Sequence, residues 1–149
     1  MISSLDAFIV LSSAQKDYFE AFLPGRVSLI RHGVDTDFFK PLFAVDNDHS
    51  QDVPHCVFCG HWLRDIPTLS IVIEKVLKCN NRIIFDIIVP KHKVDSPDFY
   101  RIARHGQVRW HSDLSDGRLR DLYQNASLLF LPLIDSTANN ALLEAAACG

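Results

Sequence analysis

The sequence lacks an excess of basic residues and any long apolar run. Its 149 residues contain 15 Lys plus Arg and 18 Asp plus Glu, a formal net charge of -3. Proteins that bind nucleic acid use a basic surface to displace counterions from phosphates, so this balance argues against that function. No apolar run reaches the roughly 20 residues needed to cross a bilayer. We therefore expect no nucleic-acid partner and no membrane-spanning helix.

The chain also has few cysteines and no recognisable leader. Four cysteines are too few for a disulfide-stabilised secreted domain, and the start at Met1–Ser4 lacks the charged and then apolar pattern of a signal peptide. We expect a cytoplasmic protein with reduced thiols. Cys56 and Cys59 form a C-x-x-C pattern, but residues three apart on a strand face opposite sides. No second pair follows, so core packing is favoured over a metal site, and we expect no metal.

What the sequence does contain is the composition of a globular domain with a core, since 48% of its residues are hydrophobic and 22% charged. Short β-branched runs alternate with amphipathic helical patterns, which predicts an α/β fold with a parallel sheet and flanking helices. The predicted strands are 7–11, 27–30, 55–59, 82–89, 108–110 and 127–131, of which the fourth and the last should be buried. The predicted helices begin after Ser12, Asp65 and Ser115 and cover about 98–104 and 139–147.

Residues 44–54 are rich in Asp, Asn, Ser and His and lack periodicity, which indicates a linker. We predict a domain boundary there, between residues 1–43 and 55–149. Gly149 stands just past a helix, where glycine commonly caps and more chain normally follows. The strand–helix–strand unit before the linker is too small to be a domain. We therefore expect a chain truncated at both ends.

In sheets of this kind, ligands bind beyond the carboxyl ends of the strands, where loops lead into helices. The loop 60–65 has features of a phosphate site: Gly60 allows close approach of a ligand, and Arg64 offers a planar fork of donors. The helix that starts near Ile66 adds free N–H groups and the positive end of its dipole. The alternative is that Gly60 forms an ordinary turn and Arg64 pairs with Asp65 or faces solvent. The loops 31–35 and 133–138 occupy equivalent positions.

The last predicted helix brings a carboxylate near such a loop. Glu144 lies one turn beyond Asn140 and Ala141, on the same face, and could accept two hydrogen bonds from a vicinal diol such as a ribose. On spacing alone, an ordinary solvated glutamate is the favoured reading. The packing face of this helix is predicted to consist of four apolar side chains, Leu142, Leu143, Ala146 and Ala147.

Three stretches carry a recognisable pattern, in order along the chain. The first combines Asp6–Ser13 and Val27–Ile30 with His32–Asp35, Phe38 or Phe39, and Pro41. The second is Cys59–Asp65, and the third and most specific is Leu131–Gly149. Together they resemble the domain junction, the first C-domain loop and the donor-binding segment of retaining glycosyltransferases of the large group 1 family.

This resemblance implies a glycosyltransferase B architecture, in which two Rossmann-like domains face a cleft. It implies transfer of a sugar from a nucleotide-sugar donor to a hydroxyl of a carbohydrate or glycoconjugate acceptor, with retention and without a metal or other cofactor. Residues 55–149 would be an incomplete donor-binding domain and 1–43 the end of the acceptor domain. The isolated chain should then be inactive. Any membrane contact would run through the acceptor domain, at the cytoplasmic surface.

The resemblance also assigns residues to the donor. Glu144 matches the glutamate that holds the nucleotide ribose, Arg64 the basic residue that meets the diphosphate, and Gly60 the loop glycine. Gly33 belongs to a loop that borders the cleft. Three further residues would lie near the sugar or phosphate at the helix N-terminus: Asn139, Asn140 and Ala141. No residue is assigned as catalytic, because the departing phosphate oxygen can itself take the acceptor proton.

Departures from the family pattern leave other readings open. His61 stands where an arginine is usual and the lysine common after it is missing. Ser136 occupies the position of a second glutamate, with Asp135 beside it as the other candidate for sugar contact. The alternatives are a Rossmann-like nucleotide-binding or regulatory module without transfer activity, and an inactive gene remnant. The segment Asn139–Glu144 together with Arg64 favours the transferase, since a generic module does not need both.

Overall fold

The computed structural model describes residues 4–42, 53–136 and 138–149, and these residues form two parallel sheets flanked by helices. A small sheet pairs β1 with β2, and a larger sheet has the strand order β5-β4-β3-β6. The predicted α/β class with a parallel sheet is confirmed. In chain order the elements are β1 (Phe8–Val10), α1 (Ser13–Glu20), β2 (Val27–Leu29), β3 (His55–Cys59), α2 (Ile66–Cys79), β4 (Ile84–Ile88), a 3-10 turn (Lys91–Lys93), α3 (Pro97–Ala103), β5 (Val108–His111), α4 (Asp116–Gln124), β6 (Leu128–Leu129) and α5 (Asn140–Cys148).

The small sheet follows from local sequence signals. Ser12 caps α1 by accepting a hydrogen bond from the Gln15 N–H at 3.2 Å, and the Gln15 side chain accepts one from the Leu11 N–H at 3.0 Å. This reciprocal arrangement satisfies backbone donors at the helix start, as the capping pattern predicts. Val10 and Val27 from the two strands pack with Leu23 in a small core of their own.

The order of the larger sheet creates a switch point beside its central strand. The chain runs from β3 outward through β4 and β5, then returns on the other side of β3 as β6. Cys56 of β3 is thus in register with Phe85 of β4 on one side and with Leu128 of β6 on the other. In sheets whose strand order reverses in this way, ligands bind in the crevice beyond the carboxyl ends of the two strands on either side of the reversal.

One face of this sheet packs against α2 and α3. Asp65 caps α2 by accepting from the Thr68 N–H at 3.0 Å. Leu69, Ile73 and Leu77 are buried, which confirms the core of the predicted stripe. The strand β4 is buried through its middle, also as predicted. The cluster on this face includes Cys56, Phe58, Leu69, Ile73, Leu77, Phe85, Ile87, Val89, Phe99, Ile102 and Val108.

The other face packs against α4 and α5, and here the predicted orientation of α5 is wrong. Ala141 and Cys148 are buried, whereas Leu142, assigned to the packing face, is 51% exposed. The buried face of α5 carries small side chains, so the helix can approach Val57 of the sheet and Tyr123 of α4 closely. A leucine on that face would hold the helix further away.

The predicted buried strand 127–131 is also wrong in its extent and burial. Strand β6 covers only Leu128–Leu129, and Leu128 is 58% exposed. Within the part of the chain that the structure describes, β6 pairs with β3 alone, so one edge of it meets no strand. Although its residues are apolar, β6 is therefore not covered by the described residues on both sides.

The residues before the predicted linker run along α4. The Arg120 guanidinium lies 4.8 Å from the centre of the Phe38 ring, and Gln124 Nε2 donates to the Lys40 carbonyl at 2.6 Å. The linker predicted at 44–54 lies outside the described residues except for 53 and 54, and the domain division stays a prediction. No helix in the described ranges is both long and apolar enough to cross a membrane.

Candidate functional site

Two loops meet at the switch point of the larger sheet. The β3–α2 loop (Gly60–Asp65) follows the end of β3, and the β6–α5 loop follows β6 and ends at Asn139. The Asp65 N–H donates to the Pro132 carbonyl at 2.9 Å, and the Ile134 N–H donates to the Leu63 carbonyl at 3.0 Å. These bonds hold together two loops that the sequence analysis identified separately.

The β3–α2 loop folds back on itself because two of its residues have a left-handed backbone. Gly60 has a φ of 94° and Leu63 a φ of 54°. A Cβ on Gly60 would lie 3.0 Å from Nη2 of Arg64, so the absence of a side chain lets the guanidinium pass against the backbone. Leu63 holds an uncommon conformation for a residue with a side chain. The result is an arginine placed directly beside the end of β3.

Arg64 is fixed by three acceptors, none of them a carboxylate. Its Nε donates to the Cys59 carbonyl at 2.9 Å, its Nη1 to the Trp62 carbonyl at 3.3 Å and its Nη2 to Asn139 Oδ1 at 3.3 Å. Among the described residues it forms no ion pair. The alternative pairing with Asp65 is not found, because that carboxylate accepts from the Thr68 N–H and hydroxyl, which lower the pKa of Asp65. The positive charge of Arg64 is therefore available to an anion.

Asn139 links the two loops to α5. Its Oδ1 caps the helix by accepting from the Leu142 N–H at 3.3 Å while it also accepts from Arg64. Its Nδ2 is buried and has no hydrogen-bond partner among the described residues. A buried donor without a partner is unusual in folded proteins. It lies beside Arg64, where an acceptor such as a phosphate oxygen would satisfy it.

Glu144 lies on α5, and the Tyr123 hydroxyl donates to its Oε2 at 3.4 Å. Removal from water raises the pKa of Glu144, and the hydrogen bond from Tyr123 opposes that shift. The pKa of the nearby Cys59 thiol is affected by both Glu144 and Arg64. Burial raises the pKa of Cys59, a hydrogen bond with Tyr123 lowers it, Glu144 raises it and Arg64 lowers it. Arg64 and Glu144 are therefore both near Cys59, the last residue of β3.

Further positive charge lies near His61 of the β3–α2 loop. Partial burial and then the neighbouring Lys93, His92 and Arg64 lower the pKa of His61. Lys93 and His92 belong to the 3-10 turn that follows β4. Sequence reasoning missed them as contributors to the site, although a basic run directly after a strand is a signal that could have identified them.

The other predicted site residues lie outside this hydrogen-bonded cluster. Asn140 is exposed at the first position of α5, and Ala141 is buried against the sheet. Asp135 and Ser136 are exposed, and the Asp135 carboxylate accepts from the Ser136 N–H at 2.7 Å. Gly33 is exposed, and a Cβ there would meet no atom of the described residues within 4 Å.

The two cysteines of the C-x-x-C pattern face opposite sides of β3, as predicted. Cys56 packs in the cluster beneath α2, whereas Cys59 packs against the cluster that contains Tyr123. Over residues 4–42, 53–136 and 138–149, no three His, Cys, Asp or Glu side chains are grouped in a way that could hold a metal ion.

Solved structures share the fold of this chain at low sequence identity. Sucrose-phosphate synthase from Thermosynechococcus elongatus matches with a TM-score of 0.73 and 20% identity, covering 99% of this chain and 40% of its own. A TarM mutant from S. aureus, solved with fondaparinux, α-GlcNAc-glycerol and UDP, matches with a TM-score of 0.70 and 16% identity over 98% of this chain and 29% of its own. The chain has part of the glycosyltransferase B fold.

A third glycosyltransferase B neighbour, HepE from Anabaena in complex with UDP and glucose, has a TM-score of 0.66 and 16% identity, covering 96% of this chain and 42% of its own. The chain thus spans less than half the length of these three structures. No protein-family model and no curated protein sequence matches it. The glycosyltransferase B fold that the sequence resemblance implied is confirmed.

Proposed function

We propose that this chain is the donor-binding part of a retaining glycosyltransferase of the group 1 family. The whole protein would transfer a sugar from a nucleotide-sugar donor to a hydroxyl of a carbohydrate or glycoconjugate. One observation carries the proposal: at the switch point, the guanidinium of Arg64, which forms no ion pair with any described residue, is hydrogen-bonded to Asn139, the cap of the helix that bears Glu144.

The geometry supports a division of roles between the two charged residues. Arg64, the Nδ2 of Asn139 and the positive end of the α5 dipole would face the diphosphate. Glu144 lies about one and a half turns further along α5, roughly 7 Å along the helix axis. A ribose joined to the diphosphate would reach it there, and its carboxylate can accept hydrogen bonds from both ribose hydroxyls.

The chemistry assigned to these residues is electrostatic. As the bond to the anomeric carbon breaks, negative charge grows on the departing diphosphate. Fixed donors aimed at that charge stabilise it more in the transition state than in the ground state. Arg64 supplies a fixed cation, and Lys93 adds positive potential near His61 of the same loop. The departing phosphate oxygen would accept the acceptor proton, so the proposal assigns no protein nucleophile.

The neighbours support a nucleotide as the ligand class. The TarM mutant and HepE were both solved with UDP. Uridine diphosphate is therefore the first ligand to test, with GDP as the second. The base, the sugar and the acceptor of this protein are separate questions for a screen of nucleotide sugars.

One observation favours a second candidate, a nucleotide-binding module without transfer. The position of the family's second glutamate is the exposed Ser136, and the adjacent Asp135 carboxylate bonds to the Ser136 N–H. A donor sugar would then lack its usual carboxylate partner. Nucleotide binding without turnover of any nucleotide sugar by the full-length protein would support this alternative.

The test is calorimetric titration of the full-length protein with UDP and with GDP. Arg64→Ala and Glu144→Ala should each weaken binding about 10-fold or more, since hydrogen bonds to charged groups contribute roughly 1.5–3 kcal/mol. Arg82→Ala is the matched control, because Arg82 is exposed just before the amino end of β4, at the opposite edge of the sheet. It should leave the affinity unchanged.

Unchanged affinity in both site variants would contradict the proposed roles of Arg64 and Glu144. Failure of the full-length protein to bind either nucleotide would overturn the donor-site proposal itself. We also expect residues 1–149 alone to show no sugar transfer, and measurable transfer by them would contradict that expectation.

A further inference from the structure

Tyr123 is a buried side chain with a polar end at the candidate site. It is 5% exposed and belongs to the cluster formed by Val57, Ala141 and Cys148. Its ring lies 6.4 Å from that of Phe39, measured between centres. The ring therefore has a packing role, but packing does not require the hydroxyl.

The hydroxyl of Tyr123 connects two elements of the site. It donates to Glu144 Oε2 at 3.4 Å, and it also lies near the Cys59 thiol, whose pKa it lowers. A hydroxyl has one proton to donate but can accept as well, whereas a carboxylate can only accept. Burial keeps Cys59 protonated, because it raises the pKa of that thiol. The carboxylate of Glu144 can only accept, so the Tyr123 hydroxyl donates its single proton to it.

We propose that Tyr123 is a positioning residue that orients Glu144 for the ribose of the bound nucleotide. This inference rests on the proposed function and extends it to a residue outside the family motif. With Oε2 occupied by the Tyr123 hydroxyl, Oε1 is directed to the ligand and the rotation of the carboxylate is restricted. The 3.4 Å separation is long for a bond between two oxygens, and we expect it to shorten when a ligand fills the site.

Charged and titratable groups from three elements face the Glu144 carboxylate. They are Tyr123 and Asp116 of α4, Cys59 of β3 and Cys148 of α5. Of the groups that act on Glu144, the hydroxyl of Tyr123 lowers the pKa, whereas Asp116 raises it. Removal of that hydroxyl should therefore raise the pKa of Glu144 further.

The test variant is Tyr123→Phe, which keeps the ring and removes only the hydroxyl. Calorimetry on the full-length protein should show UDP binding weakened about 3–10-fold, the range expected for the loss of one hydrogen bond. The preference of the variant for UDP over 2′-deoxy-UDP should also fall, because a less oriented carboxylate forms weaker hydrogen bonds with the ribose hydroxyls. The midpoint at which UDP binding is lost on acidification should move to higher pH. Tyr18→Phe, which alters an exposed tyrosine, is the matched control and should change none of these values.

A double-mutant cycle separates positioning from a general effect on folding. In a Glu144→Ala background, which removes the acceptor, Tyr123→Phe should cause less loss of UDP affinity than it does alone, since it acts through the carboxylate. Equal losses in both backgrounds, or a wild-type ribose preference and pH midpoint in Tyr123→Phe, would overturn the inference while leaving the donor site intact. If the wild-type protein bound neither UDP nor GDP, the proposed function and this inference would both fail.

Discussion

At the scale of single residues, Glu144 is a charged group in a partly apolar setting. It is half-buried beside Tyr123, and its removal from water raises its pKa. The folded state therefore holds the Glu144 proton more tightly than the unfolded state does. By linkage, this residue lowers the free energy of unfolding as the pH rises through its raised pKa.

Glu144→Gln should therefore stabilise the protein at neutral and alkaline pH. The amide removes the cost of a half-buried charge and can still accept a hydrogen bond from Tyr123. At ~pH 4 and below, the glutamate is itself increasingly protonated in both states, so the difference should shrink toward zero. Urea denaturation at several pH values measures it. A glutamine variant less stable than the wild type at ~pH 8 would contradict this account.

At the scale of elements, the β3–α2 loop is shaped by its glycine. Gly60 has a left-handed backbone, its N–H donates to the Ile88 carbonyl at 2.9 Å, and its missing side chain makes room for Arg64. Gly25, which follows α1, also has a left-handed backbone, but a Cβ there would meet no atom within 4 Å in the part of the chain that the structure describes. The two glycines thus share the conformation and differ in their surroundings.

Gly60→Ala and Gly25→Ala should each lower the free energy of unfolding by roughly 1–2 kcal/mol, the cost of a left-handed residue with a side chain. Gly60→Ala should also displace the Arg64 guanidinium and weaken UDP binding, whereas Gly25→Ala should not. Denaturation and calorimetry on both variants make the comparison. Equal nucleotide affinities in the two variants would show that Gly60 does not control the arginine.

At the scale of the whole molecule, a buried polar group joins three strands of the larger sheet. Asp86 of β4 is 1% exposed, and its carboxylate oxygens contact His55 Nδ1 of β3 and His111 Nε2 of β5, both at 2.7 Å. Each oxygen has its own imidazole partner, so the buried carboxylate is satisfied. The contacts link neighbouring strands on the face opposite α2 and α3.

Asp86→Ala should lower the free energy of unfolding by about 3 kcal/mol, because it leaves two partly buried imidazoles without their partner. Lys91→Ala is the control: it breaks an exposed ion pair with Asp113 and should change stability by less than about 0.5 kcal/mol. Thermal and urea denaturation give both values. Equal effects of the two substitutions would show that the buried contacts do not stabilise the sheet.

Features that depend on near neighbours in the chain could be predicted from the sequence. The caps at Ser12, Asp65 and Ser115 are confirmed, as is the core of the apolar stripe of α2. Helix starts and apolar periodicity arise from residues three or four positions apart, so a short window contains the needed information.

Other features depend on which elements meet. The buried face of α5, the exposure of Leu128 and the contacts of Asp86 were not predictable, because the partners come from distant segments. The asparagine that holds Arg64 is 75 positions away from it. Family resemblance identified both residues but could not show that they touch.

By itself, the sequence determined that this chain alternates strands with helices and carries a loop glycine, an arginine and a helix glutamate. Local sterics, capping and periodicity are enough for that. Only the tertiary structure decided that β6 returns beside β3, which brings Arg64 against Asn139, the cap of the helix that carries Glu144, with the Tyr123 hydroxyl bonded to that carboxylate. Strand order is a property of the packed sheet, since it depends on the pairing of segments whose separation no local pattern encodes.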